Sequence, residues 1–328
     1  MIRPVIACLG AGRMGRGIAV AFAYAGHRVS IVDFKPRGAE AFEALADEAL
    51  NEIRNTLTSL SRFGLFAPQD VDGIMSRVQV MPEAEAATAL SDADVVFEGV
   101  PEVLELKREA LARASGLANP SAIIASTTST ILVDDLSGAV KGRERFLNAH
   151  WLNPAYLIPL VELSPGAATD PNVTARVKTL LEAIGKVPVV CAATPGYIVP
   201  RIQALAMNEA ARMVEEGVAS AEDIDKAIKY GFGFRYATMG LLEFIDWGGG
   251  DILYYASRYL EGALHSDRYR APEVISRNMQ EGRIGMRSGA GFLDYAGKDI
   301  EAWREQRLAA LVELLRHFGL ARPPVLDP

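Results

Sequence analysis

The chain has 328 residues, more than a usual single domain, so one large domain or two moderate ones are expected. Half of it is hydrophobic and 23% is charged, which excludes disorder, a coiled coil and a collagen-like repeat. Acidic residues outnumber basic ones, 41 to 34, for a formal charge of −7. Without a basic excess to neutralise phosphates, nucleic acid is not expected as a partner.

The two cysteines, Cys8 and Cys191, cannot form a disulfide framework and fit a reducing compartment. The opening apolar run to Leu9 is too short for a signal peptide. No uninterrupted apolar stretch is long enough to span a membrane. A cytoplasmic protein with no membrane partner is the expectation.

The first part of the chain alternates short apolar runs with longer helical patterns. Val5–Leu9, Arg28–Val32, Asp94–Phe97, Ala122–Ala125, Phe146–Ala149 and Val187–Val190 read as buried strands. Met14–Ala25, Ala39–Ser61, Leu104–Ala114 and Asn172–Ile184 read as helices. This alternation predicts an α/β domain with a mostly parallel sheet covered on both faces. Thr194-Pro195-Gly196 then punctuates the chain, with Pro200 just beyond. After it only helical patterns follow: Ile202–Glu216, Ala221–Tyr230, Leu241–Phe244, Ile252–Leu260 and Ala302–Phe318. Ser220 with Asp223 three residues on starts the second of these as a capping box. The expected division is therefore 1–192 and an all-α domain at 193–328. No internal repeat or low-complexity segment is visible.

Val5–Leu9 runs into Gly10-Ala11-Gly12-Arg13-Met14-Gly15, and a helix follows. This is G-x-G-x-x-G in a strand–turn–helix context. Its first glycine serves the tight turn, its second the approach of a pyrophosphate, and its third close helix packing. Asp33 ends the next strand, eighteen residues after Gly15. A carboxylate there accepts from a ribose 2′-OH and repels a 2′-phosphate, so NAD is expected over NADP. Lys35 and Arg37 temper that preference. The bland reading is a glycine turn that binds no nucleotide.

There are four histidines. His27 reads as a solvated or capping loop residue, and His265 and His317 as surface residues. His150 follows the run Phe146–Ala149 and precedes Trp151-Leu152-Asn153-Pro154, a strand end of the kind that borders a ligand crevice. Glu162 follows Leu160-Val161, where a lone carboxylate needs a partner. A neutral imidazole can take an alcohol proton while a hydride leaves the same carbon, and a carboxylate on its other nitrogen fixes the tautomer. A structural His–Glu bond is the equally open alternative.

Taken together, Gly10–Gly15, Asp33, Val100-Pro101-Glu102 with Lys107, Ser126-Thr127-Thr128-Ser129, His150–Pro154, Pro159–Glu162, Thr194–Val199, Ala221–Asp225 and Ser288–Phe292 resemble the 3-hydroxyacyl-CoA dehydrogenase family. The resemblance runs in order along nearly the whole chain. It implies a Rossmann-like NAD domain, a helical domain that usually forms a homodimer, and a small-molecule substrate. By the same resemblance, His150 matches the catalytic base and Glu162 its orienting partner. Ser129 matches the hydroxyl that bonds the substrate oxygen. Asn153 matches the polar residue near nicotinamide and substrate. Glu102 and Lys107 match positions lining the cofactor site, and Arg287 stands where many members have a lysine. Read without the resemblance, Ser129 and Asn153 are turn residues, Glu102 and Lys107 the first turn of a solvated helix, and Arg287 a surface cation.

The chain departs from the acyl-CoA pattern at several points. Pro200 replaces an asparagine, and Pro159 a basic residue. Helix Ala39–Ser61 carries Glu40, Glu43, Asp47, Glu48 and Glu52 against Arg54, a face that repels a polyanionic carrier. Arg235 and Tyr236 resemble the gulonate dehydrogenase and lambda-crystallin branch, and Arg235 suits a substrate carboxylate. Its alternative is an ion pair with Glu243 or Asp246. Trp151 would suit a planar substrate. The sequence thus predicts an NAD-dependent dehydrogenase of a 3-hydroxy group, leaning to a small gulonate-like acid with a free carboxylate. A 3-hydroxybutyryl-CoA type of substrate, an aldehyde or an aromatic or ring ketone stand as alternatives. A binding or structural protein of the same fold would have no need of both His150 and Glu162.

Overall fold

Eight short apolar runs form one sheet in the computed structural model, which describes residues 3–325. The strands are β1 (Ile6–Leu9), β2 (Val29–Val32), β3 (Val78–Met81), β4 (Val95–Glu98), β5 (Ile123–Ser126), β6 (Phe146–Trp151), β7 (Leu160–Pro165) and β8 (Val187–Val190). Their spatial order is β3-β2-β1-β4-β5-β6-β7-β8. All neighbours are parallel except β6 and β7, which are antiparallel. The first six follow the doubly wound order, whose direction of winding reverses between β1 and β4. The fold is Rossmann-like, as expected, with helices after it. Strands β3 and β7 were not anticipated: Val-Gln-Val-Met carries too little signal at a sheet edge, and Glu162 cuts short the apolar run of β7.

Strands β1, β2, β4 and β5 are buried at every position. Residues buried on both faces need near-continuous apolar runs, which explains their composition. Two apolar clusters result, one on each side. Ile6, Phe22, Phe97 and Trp151 belong to the first, and Leu9, Val32, Leu111 and Phe146 to the second. The covering helices include α1 (Arg13–Tyr24), α2 (Ala39–Arg62), α3 (Leu104–Leu117) and α4 (Pro171–Ala183).

A long helix, α5 (Val199–Glu215), follows the Thr194–Gly196 turn. Pro200 sits in its first turn, where a missing N–H breaks no intrahelical bond. One compact unit of the chain ends at Met207 and a second begins at Asn208. The second unit is helical. Ser220 caps Ala221–Ala227 by accepting from the Asp223 amide at 3.1 Å. Buried Asp246 accepts from the amides of Phe292 (2.9 Å) and Leu293 (2.8 Å) and from the Tyr295 hydroxyl (3.2 Å). The helix Glu273–Gln280 in this unit was not expected from the sequence. Among the described residues, no helix is long and apolar enough to cross a membrane.

Candidate active site

The glycine loop lies where β1 meets α1. Gly10 has φ +93°, a conformation that L side chains rarely adopt. A Cβ on Gly15 would lie 2.1 Å from the Gly10 carbonyl oxygen, so helix and turn touch through backbone alone. A Cβ on Gly12 would meet nothing within 4 Å, which leaves open the space an anion needs. The first intrahelical bond runs from the Arg16 amide to the Gly12 carbonyl at 3.0 Å. The amides of Arg13, Met14 and Gly15 therefore face outward without intrahelical partners and form a ready anion site.

A cavity of about 650 Å³ opens here, lined among others by Gly10, Gly12, Asp33, Gly99 and Arg113. It spans the end of β1 and the end of β4, the point at which strand order reverses and where such sheets bind ligands. Asp33 also lines it and is buried, and its Oδ2 accepts from Arg37 Nε at 2.5 Å. Arg37 is thus engaged by the carboxylate rather than free for a 2′-phosphate. These residues fit a dinucleotide with a free ribose 2′-OH.

Sequence reasoning missed Arg16. It is buried, its Nε donates to the Ala11 carbonyl at 2.7 Å, and its guanidinium pairs with Glu48 and Glu52 of α2. One positive charge is thus shared between two of the five acids on that helix, which makes the face one unit less negative than its composition suggests. Ala11 itself is buried. Arg13 and Asn153 line an adjoining cavity of about 340 Å³ that shares Arg16 with the first. Met14 packs partly against the core.

The sequence also missed the ion pair behind this pocket. Glu98 and Lys107 are 0% and 1% exposed. Lys107 Nζ reaches Glu98 Oε1 at 2.9 Å and the Val100 carbonyl at 3.1 Å. Ser126 Oγ donates to the other Glu98 oxygen at 2.5 Å. Lys107 is thus not in a solvated first turn. It is held inside, because an unpaired Glu98 at that depth would be unsustainable.

Glu102 caps the loop that carries Ser129. Its Oε1 accepts from the Ser129 amide (3.0 Å), the Thr130 amide (3.1 Å), Thr130 Oγ1 (2.9 Å) and the Thr128 hydroxyl. Burial opposes ionisation of Glu102. The bonds from Thr128 and Thr130 and the Lys107 charge outweigh it and hold the carboxyl below its usual range.

His150 and Glu162 face each other across the antiparallel β6–β7 ladder. His150 Nδ1 lies 2.7 Å from Glu162 Oε2, with Glu162 0% exposed. The other oxygen, Oε1, accepts from the amides of Ile198 (2.9 Å) and Val199 (2.8 Å) at the start of α5. Three donors and a helix N-terminus suit a carboxylate. An acceptor-only carboxylate requires the proton on Nδ1, which leaves Nε2 as the free base. Pro200 costs nothing here, because the two preceding amides do the work.

Trp151 is corrected. As the next residue of a strand it faces the opposite side from His150. It is 3% exposed and packs against Phe22 and Phe97, so it is a core residue and not a substrate contact. His27 is also buried, with Nδ1 2.8 Å from the Pro4 carbonyl, so of its two readings the solvated one does not hold.

In the second unit, Arg287 pairs with Asp251 at 2.5 Å. Arg235 lies 4.3 Å over the Phe244 ring, in the same short segment as half-buried Tyr236. The acids offered as its alternatives are engaged elsewhere: Glu243 by Trp303 Nε1 (2.7 Å) and Arg307 Nε (2.8 Å), and Asp246 by the backbone. Among the described residues, no ion pair joins Arg235 to a carboxylate, Glu243 being paired with Arg307.

Residues 5–194 match the model for the NAD binding domain of 3-hydroxyacyl-CoA dehydrogenase. Residues 196–295 match the model for its C-terminal domain. The 5-formyl-3-hydroxy-2-methylpyridine 4-carboxylate 5-dehydrogenase of Mesorhizobium japonicum is 31% identical over 96% of this chain and 98% of its own. Rabbit (Oryctolagus cuniculus) lambda-crystallin is 34% identical over 77% of each chain. The crystal structure of a 3-hydroxyacyl-CoA dehydrogenase from Archaeoglobus fulgidus superposes with a TM-score of 0.76 at 33% identity, covering 97% of this chain and all of that one.

Proposed function

Because this chain belongs to the 3-hydroxyacyl-CoA dehydrogenase family and is an NAD-dependent oxidoreductase, we propose that it oxidises a 3-hydroxy group with His150 as the base. The observation that carries this reading is the His150–Glu162 pair, with Glu162 bound by two amides and Nε2 left free. NAD, when bound, supplies the hydride acceptor. Its pyrophosphate would lie on the outward amides of the glycine loop and its ribose on Asp33. His150 Nε2 takes the hydroxyl proton, and Glu162 stabilises the resulting imidazolium. Ser129 and Asn153 orient the substrate oxygen, and Glu102 holds the loop of Ser129. Arg287 is assigned to the cofactor side only by its sequence position.

For the substrate we favour a compact acid with a free carboxylate, of the gulonate type. Arg235, free of carboxylate partners, is its proposed ligand with Tyr236 beside it. The acids of α2, of which Glu40, Glu43 and Asp47 are outside the Arg16 pairing, weigh against a polyanionic carrier. The pyridine carboxylate relative, similar over nearly the full length of both chains, acts on a small ring acid by its name. We take 1–192 as the NAD-binding domain and 193–328 as the helical substrate and dimerisation domain. The homodimer would cover Ile252, Tyr255 and Tyr259, exposed on one helical face. Two free cysteines suit the cytoplasm.

The test is NADH formation against a panel of 3-hydroxy acids, their CoA esters, aldehydes and ring alcohols. Preference for a CoA ester would overturn the free-acid reading, and full turnover by His150→Gln would overturn the mechanism.

A further inference from the structure

Tyr197 adopts φ +44°, directly after Gly196 at φ +78°. Two successive left-handed residues form a tight turn, and a tyrosine in that region persists only where its surroundings over-determine it. Its surroundings do. The ring lies flat on His150, with centroids 5.1 Å apart and planes within 5°. Its hydroxyl donates to the Thr128 carbonyl at 3.1 Å and accepts from Asn148 Nδ2 at 3.0 Å. Asn148 is fully buried and its Nδ2 also donates to the Ile131 carbonyl at 3.0 Å, so the hydroxyl has a fixed seat.

The Thr128 carbonyl belongs to the same peptide unit as the Ser129 N–H. That N–H donates to Glu102 at 3.0 Å. The peptide that places Ser129 is therefore held at both ends, by Tyr197 on oxygen and by Glu102 on nitrogen. The two amides after Tyr197 are those bound to Glu162. One strained residue thus touches the base, anchors the neighbouring hydroxyl and begins the turn that holds the base's partner.

We propose that Tyr197 is a positioning residue: it sets the plane of the His150 imidazole and its placement relative to Ser129. This rests on the dehydrogenase reading above. The titratable groups around Tyr197 are His150, Glu102, Glu162 and Cys191. Burial pushes the phenol above its usual range, so it stays a neutral donor to Thr128 and does not itself exchange a proton with substrate.

Two variants separate its contacts. Tyr197→Phe keeps the ring and removes the hydroxyl, whereas Tyr197→Leu removes both. With the best substrate of the panel, kcat should fall about tenfold in Tyr197→Phe and about a hundredfold in Tyr197→Leu. KM for NAD and NADH affinity by fluorescence should stay within about twofold, because the cofactor loop is untouched. In the ligand-free protein, NMR should show the ring-current displacement of the His150 carbon-bound protons kept in Tyr197→Phe and lost in Tyr197→Leu. Wild-type kcat in both variants would overturn the proposal. So would losses of kcat matched by equal losses of NADH affinity and melting temperature, which indicate a merely structural residue. His150→Gln distinguishes the two levels. If it is active, the dehydrogenase chemistry fails; if it is inactive while both Tyr197 variants work normally, only the role of Tyr197 fails.

Discussion

Replacing Glu162 by glutamine changes one atom type in a site where every acceptor is used. The amide oxygen can still accept from Ile198 and Val199, whose amides lie 2.9 and 2.8 Å from Oε1. That directs the amide NH2 toward His150 Nδ1, which sits 2.7 Å from the other oxygen. A donor there requires a lone pair on Nδ1, so the ring proton moves to Nε2. The nitrogen facing substrate then carries a proton and cannot act as base. Such tautomer inversion lowers kcat by about 10⁴ in serine-protease triads. A single proton transfer without a nucleophile should show somewhat less, about 10³-fold, equivalent to about 4 kcal/mol of barrier. The assay is steady-state NADH formation, with NADH binding followed by fluorescence as the control. Turnover within tenfold of wild type, with unchanged NADH affinity, would refute the assignment of His150 as base and of Glu162 as its orienting group.

Other perturbations probe the support of the site. Lys107→Met leaves Glu98 buried and unpaired, and should destabilise the protein by about 3–5 kcal/mol in urea unfolding. The double variant with Glu98→Gln should recover part of that loss, and a purely additive result would refute the pairing argument. Asp33→Asn removes the charge that engages Arg37, so the NAD:NADP ratio of kcat/KM should fall at least about tenfold. Gly15→Ala places a Cβ 2.1 Å from a backbone oxygen and should abolish NADH binding in a fluorescence titration. Glu102 is held below its ordinary value of 4.5 in the fold. Its contribution to stability is therefore complete above that pH and is lost as pH falls through the lower folded value. The gap in urea midpoint between wild type and Glu102→Gln should narrow correspondingly on acidification, and a constant gap would contradict the geometry.

Some of this was legible in the residues and some was not. The glycine loop and Asp33 were, because turn, spacing and strand context coincide in a short stretch. The His150–Glu162 pair was legible as a partnership, since a carboxylate in an apolar run demands one. Trp151 shows where reading by neighbourhood fails: the expected strand ended at Ala149, whereas β6 runs on to Trp151, and adjacency along a strand means opposite faces. Glu98 with Lys107 and Arg16 with Glu48 and Glu52 were hidden for a different reason. Arg16 lies 32 and 36 residues from its partners, whereas Glu98 and Lys107 are only nine apart but sit at a strand end and in a helical first turn, where charged side chains look solvated until sheet order is known. Tyr197 was visible only as part of a turn motif, because its conformation depends on contacts with β6 and the Thr128–Ser129 loop.

The antiparallel step between β6 and β7 has a consequence for how such proteins diversify. The ladder bonds set which residues stand opposite each other, independently of the 152–159 connection, which carries Asn153 and is held by Lys186 at the Ala155 and Ile158 carbonyls. That connection can change in length or composition without displacing His150 from Glu162, as long as the register holds. The proton transfer proposed for His150 would thereby be insulated from changes in that connection outside Asn153. Such modularity would let the proposed pair be kept while the molecule it acts on changes, a division suited to a family with members named for an acyl-CoA and for a pyridine carboxylate.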